Sequence, residues 1–281
     1  MPEQSYSVRF GDPERQEEFA NRHIELLKRL DSSLKETVDI ALKGADTKSN
    51  ENKVLYSLAR IVMEDDFNSL LLLCANGYSN SAMTILRGMF ERSVTLTYLS
   101  EHPDEIVLFQ EYFWIDRKKR LPDYIKEYGD KISQESRQET QENFDRIKGN
   151  YEITACKKCK TKRLNHMWSK KDIITMAKES GFVFQLIEMA YYNCLEEAHP
   201  KVNAMLRRFE YKEDDSLWYK ERPDLEDADE YFMLAHFLVL KCLEVIKNYF
   251  RIEALEQPLS DRLQDFGEVW EWKRIEATQE E

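Results

Sequence analysis

Residues 70–75 read LLLLCA, and only Asn76 and Gly77 separate that run from a second apolar stretch that reaches Tyr98. A helix apolar on every side has to lie at the centre of a fold. Upstream, Leu55, Leu58, Ile61, Val62 and Phe67 recur at helical spacing, so residues 54–75 are expected to form one helix. Gly77 stands where a helix end takes a left-handed residue. Ser79 or Asn80 is placed to cap the next helix, and so short a join implies an antiparallel hairpin over residues 54–100. With 8 glycines and 7 prolines in 281 residues, long helices are favoured over a turn-rich β fold. The expectation is an all-α chain, a single multi-helix domain over residues 14–276 built around this hairpin. Flexible tails are expected at 1–13 and 277–281.

The second helix of the hairpin has an apolar face (Met83, Leu86, Phe90, Val94) and a more polar stripe (Asn80, Thr84, Arg87, Glu91, Thr95, Tyr98). Arg87 and Glu91 are four residues apart, so their side chains can meet. In apolar surroundings such a pair is expected to be buried, and breaking it with Glu91→Ala would then cost about 3–5 kcal/mol. Gly88 beside it is expected to let a neighbouring helix approach. The bland reading is an internal salt bridge that sets helix register; the functional reading is the charged lining of a pocket.

The run CANGYSNSAMTILRGMFERSVTLTYL resembles the signature of a mostly bacterial, uncharacterised helical family, Domain of Unknown Function 5677. The resemblance extends over residues 56–205. It implies that Arg87 and Glu91 belong with a Trp-Ser segment, here Trp168 and Ser169, and with a Tyr-rich helix ending in His, here Tyr191 and His199. The family pattern has Ser four residues before that His, where this chain has Leu195. The resemblance implies no activity. It does imply that Arg87, Glu91 and His199 converge, and they are expected to form one polar cluster inside the protein.

The net charge of −12 opposes broad nucleic-acid binding. It leaves open a local patch at the loop 151–168, where Lys157, Lys158, Lys160, Lys162 and Arg163 cluster near Trp168. The bland reading of that cluster is a solvated loop. Cys156 and Cys159, with His166, are half of a zinc site. A structural site needs four ligands, so no metal and no cofactor is expected. Cys74, Cys194 and Cys242 fall in apolar helical contexts and read as core residues. Glu196-x-x-His199 has the spacing of half a di-iron site, but no second copy accompanies it. No phosphate-binding Gly-rich loop and no nucleophile elbow occurs. The opening residues carry no apolar signal segment, and no apolar run approaches the ~18 residues of a membrane span. A cytoplasmic location without membrane association is expected.

Elsewhere the expected elements are helices over 14–42, 104–128, 182–198, 228–252 and 260–275, and a solvated helix over 133–147 that projects from the core. No strand is expected. Ser169 is placed to cap a helix ending near Gly181. Three function classes fit. One is an uncharacterised helical protein whose Arg87/Glu91/His199 cluster binds an anionic or phosphate-bearing ligand. The second is a metal-independent ribonuclease using the same residues. The third is an interaction module that forms homo-oligomers through exposed apolar residues such as Trp270 and Trp272.

Overall fold

A computed structural model describes residues 11, 13–154, 159, 161–199, 201–206, 208–212, 216–219, 225 and 228–270. Helix α1 (Pro13–Arg22) opens on proline, whose missing N–H is no loss in a first turn. His23 interrupts the run. Helix α2 (Ile24–Arg29) then passes through a π turn, Leu30–Leu34, into α3 (Lys35–Gly44). The single helix expected from periodicity is therefore broken once and widened once. A Cβ on Gly44 would lie 2.9 Å from Ile252, so glycine is what lets this helix end sit against that turn.

Helix α4 (Asn50–Arg60) is capped by Ser49, whose hydroxyl accepts from the Asn52 N–H. A second π turn, Ile61–Asp66, joins it to α5 (Phe67–Ala75). Gly77, at φ +74°, makes the turn into α6 (Ser79–Glu101). The hairpin is as expected, apart from its cap: Tyr78 precedes α6 and no side chain caps it. Helix α7 (Ile106–Tyr128) continues through Pro122. Helix α8 (Gln134–Ile147) does not project but lies along α7, where Arg117 donates to the Ser136 hydroxyl at 2.7 Å. Tyr112, Ile115, Ile147 and Tyr151 form a small core of their own there.

Two short hairpins correct the expectation of no strand. β1 (Glu152–Thr154) pairs antiparallel with β2 (Lys162–Leu164), Ile153 opposite Arg163. Next come α9 (Ile173–Glu179), α10 (Phe184–Ile187), a third π turn (Glu188–Asn193), α11 (Cys194–Ala198) and α12 (Val202–Leu206). β3 (Phe209–Tyr211) then pairs antiparallel with β4 (Leu217–Tyr219). Three-residue strands are too short to show an alternating pattern. Asp172, not Ser169, caps α9: its carboxylate accepts from the Thr175 N–H at 2.7 Å.

Helix α13 (Ala228–Phe250) packs along α6 and α5, and α14 (Glu256–Trp270) closes over α13. Leu86, Met89, Phe90 and Val94 of α6, with Phe232, Leu238, Leu243 and Ile246 of α13, have no exposed surface. Full burial of such a side chain stabilises by about 1.5–3 kcal/mol, so the α6–α13 contact is the main apolar contribution. Trp270 belongs to this core and not to an exposed patch. Its ring meets Phe232 edge-on at 5.6 Å, and its Nε1 donates to Nδ1 of His236 at 3.3 Å. Trp272 lies outside the described residues.

Candidate functional site

Helix α6 faces the segment from Met167 to α11 with residues of both its apolar face and its polar stripe. Tyr98 meets Trp168 at 6.1 Å, while Phe90 meets Phe182 at 5.6 Å and Tyr191 at 6.0 Å. The segment thus runs back along α6, from its C-terminal end towards its N-terminal end. Arg87 Nε donates to Glu91 Oε1 at 2.9 Å. The guanidinium carbon sits 4.9 Å from the centre of the Tyr191 ring, within cation–π range. The pairing uses Nε alone. Nη1 and Nη2 form no hydrogen bond with any described residue, so the fork that grips carboxylates and phosphates stays open. The Arg87 side chain is 18% exposed and that of Glu91 41%. Burial raises the Tyr191 phenol pKa; Arg87 opposes the rise, and Glu91, Tyr192 and Asp172 add to it.

His199 follows α11 in extended geometry, the conformation that a residue before proline favours. It is exposed, and among the described residues no hydrogen bond or ion pair joins it to Arg87 or Glu91. It stands eight positions beyond Tyr191, about 12 Å at 1.5 Å per residue. The expected interior cluster is therefore corrected: Arg87 and Glu91 pair on a half-open face, and His199 stands at the far end of the facing helix. Local periodicity could not show that this segment leaves the Glu91 side of the stripe uncovered.

Trp168 and Ser169 support the other end of the same face. Trp168 lies edge-on to Phe109 at 5.3 Å. The Ser169 hydroxyl accepts from the Lys171 N–H, and its carbonyl accepts from the Asn165 amide. Lys171 is 5.0 Å from the Tyr98 ring centre and 2.6 Å from Glu179, whose carboxylate raises its pKa and keeps it charged. Residues 52–217, more than half of the chain, match a family of unknown function (DUF5677). The chain belongs to DUF5677. No curated protein and no solved structure matches it.

Another ion pair of the DUF5677 region has a more buried carboxylate than the Arg87 pair. Arg92 donates to Asp66 in the π turn, Nε and Nη2 lying 2.7 and 2.6 Å from Oδ2. The side chains are 33% and 13% exposed. Burial raises the Asp66 pKa, and Arg92 partly offsets the rise. A Cβ on Gly88 would lie 2.6 Å from Arg92 Nη2. Gly88 thus makes room for the Arg92 guanidinium, not for a neighbouring helix as its position had implied.

In the basic loop, Lys162 is neutralised by Glu152 at 2.9 Å, and Arg163 is exposed. Lys157, Lys158, Lys160 and Cys156 lie outside the described residues. Cys159 is exposed with its sulfur 2.8 Å from the Thr161 hydroxyl, and His166 is exposed. Among the described residues no three His, Cys, Asp or Glu side chains gather as metal ligands, and no helix is long and apolar enough to cross a membrane.

Outside the family region lie two buried imidazoles that the sequence analysis did not single out. His23 Nε2 is 2.9 Å from Asp229 Oδ1, with the Phe19, Phe232 and Trp270 rings around it. His236 lies between Phe67 and Phe266, and burial, aided by Arg262, pushes its pKa down to about 4. Their partners lie 206 and 34 residues away along the chain, beyond any local pattern.

Proposed function

We propose that the face between α6 and the Tyr191 helix binds an anionic, phosphate-bearing small molecule, with Arg87 as its anchor. The observation that carries this is the half-committed guanidinium. Glu91 holds Nε, Tyr191 covers one face, and both Nη groups are free of described partners. An arginine already fixed in place loses less rotamer freedom on binding. A phosphate on the Nη fork forms charge-assisted bonds, about twice as strong as neutral ones. Glu91 Oε2 has no described partner either. The ligand that suits both groups carries a hydroxyl or amino donor next to its phosphate, which also offsets the repulsion from Glu91. On this reading His199 is a second arm, reached by ligands that extend about 12 Å along the helix.

Calorimetric titration of the full chain with inorganic phosphate, pyrophosphate and a nucleoside monophosphate tests the reading. The expected result is saturable binding that weakens at least tenfold in Arg87→Met. The half-open Arg87–Glu91 pair contributes only about 0.3–0.5 kcal/mol to stability, so that variant melts within about 2 °C of the parent. Equal binding by the parent and Arg87→Met overturns the reading.

A further inference from the structure

The β3–β4 hairpin lacks the support that a hairpin needs. Two strands alone are marginal in water and are held by further strands or by a helix packed on one face. Successive residues of a strand point to opposite faces, yet Leu217, Trp218 and Tyr219 of β4 are 45%, 55% and 54% exposed. Neither face of β4 is therefore covered. Among the described residues no third strand joins the sheet. Edge strands are protected against pairing with other chains by charged side chains or proline, and β4 carries neither.

The register decides what the free edge offers. The Lys212 N–H donates to the Ser216 carbonyl at 2.9 Å, so the next hydrogen-bonded pair along the ladder is Glu210 with Trp218. Leu217 and Tyr219 then point their backbone N–H and C=O groups away from β3. This edge is complementary to itself. Set antiparallel to a second copy about a two-fold axis at Trp218, Leu217 falls opposite Tyr219 and Tyr219 opposite Leu217, each pair exchanging both backbone bonds. Trp218 meets its own copy at the non-hydrogen-bonded position, where side chains come closest and an aromatic pair is favourable. Arg208 ties β4 to the helices before it: it donates to Glu197 at 2.9 Å and interacts with Tyr219. Helix α12, just before Arg208, adds exposed Val202, Met205 and Leu206.

We propose that β4 is a self-association edge, at which two copies of this chain form an antiparallel, isologous dimer centred on Trp218. An unrelated extended peptide could take up the same backbone groups, but only a second copy also supplies the Trp218 pair. The exposed apolar surface of β4 and α12, counted over two copies, is on the order of 1,000 Å², below the roughly 1,600 Å² of a standard stable interface. The dimer is therefore a weak one, half dissociated at about 10–100 μM. This surface is separate from the Arg87 face and does not depend on it.

Sedimentation velocity of the full chain over a concentration series tests this. The expected result is a reversible monomer–dimer equilibrium that at least tenfold weakens in two variants. Trp218→Asp places like charges directly opposite each other across the axis, which is destabilising. Leu217→Pro removes an N–H that points away from β3, so it deletes an edge donor and leaves the hairpin's own ladder intact. Both positions are exposed, so circular dichroism and melting should match the parent. Cα atoms of a non-hydrogen-bonded pair stand about 4.5 Å apart, within disulfide reach. Trp218→Cys, in a background of Cys156→Ser and Cys159→Ser, should therefore cross-link to its own copy on oxidation. A parent that stays monomeric at about 200 μM, several times the expected dissociation constant, overturns the proposal. So does a dimer that keeps parental affinity in either edge variant, or one that Trp218→Cys does not cross-link.

Discussion

Replacing Arg92 by Met leaves the Asp66 carboxylate in place without its cation. A fully buried pair broken from one side costs about 3–5 kcal/mol. Arg92 is 33% exposed and Asp66 13%, so water screens part of the interaction and about 2 kcal/mol is expected at pH 7. For a chain of this size that lowers the melting temperature by about 4–8 °C. The cost depends on pH in a defined direction. Asp66 already has a raised pKa, above its ordinary 3.8, because burial outweighs Arg92. Its contribution to stability is therefore present below 3.8 and is lost as pH rises through the raised value. Removing Arg92 raises that value further, so the variant loses more than the parent at neutral pH and little more once Asp66 is protonated in both. Urea denaturation at pH 7 and pH 4.5 should show the cost shrinking towards zero at the lower pH. Asp66→Asn added to Arg92→Met should recover most of the loss at pH 7. A cost under about 0.5 kcal/mol, or one that is the same at both pH values, would refute the view that this pair is desolvated.

His236 should produce an acid limb of opposite sign. Its pKa is depressed from 6.5 to about 4, so the stability it contributes is present above pH 6.5 and falls away as pH drops towards 4; melting temperature against pH should be flatter in His236→Leu, and an unchanged slope counts against the burial argument. Glu91→Ala should cost less than about 1 kcal/mol in chemical denaturation; a loss of several would restore the buried reading of the Arg87 pair. Leu86→Ala, at a site with no exposure, should cost about 2–5 kcal/mol. Leu72→Ala, 64% exposed although it stands within the LLLLCA run, should stay within about 0.5 kcal/mol in the same assay.

That Leu72 is exposed shows where reading the chain locally stops. The run at 70–75 and Gly77 were enough to locate the hairpin, because an apolar helix that ends on a left-handed glycine has few alternatives. Of that run, though, only Leu70 and Cys74 are fully buried, since α6 and α13 cover one side of α5. The π turns at Leu30, Ile61 and Glu188 carry no composition signal; they are choices of backbone hydrogen bonding made under tertiary packing. Arg87 and Glu91 were recognisable as a pair from their spacing. Their exposure depended on how far the Tyr191 segment covers α6, which spacing does not encode. Arg92 was passed over, although an Asp sits between the apolar stretches of the preceding helix. Its neighbour Gly88, four residues earlier on the same helix face, was the available signal.

The most direct test of the Arg87 face is a crystal structure of the full chain soaked with inorganic phosphate. The account predicts the anion on Nη1 and Nη2 of Arg87, beside the Tyr191 ring, with Glu91 still bonded to Nε. Phosphate bound only at other sites, with both Nη groups facing solvent or turned onto a second carboxylate, would contradict it.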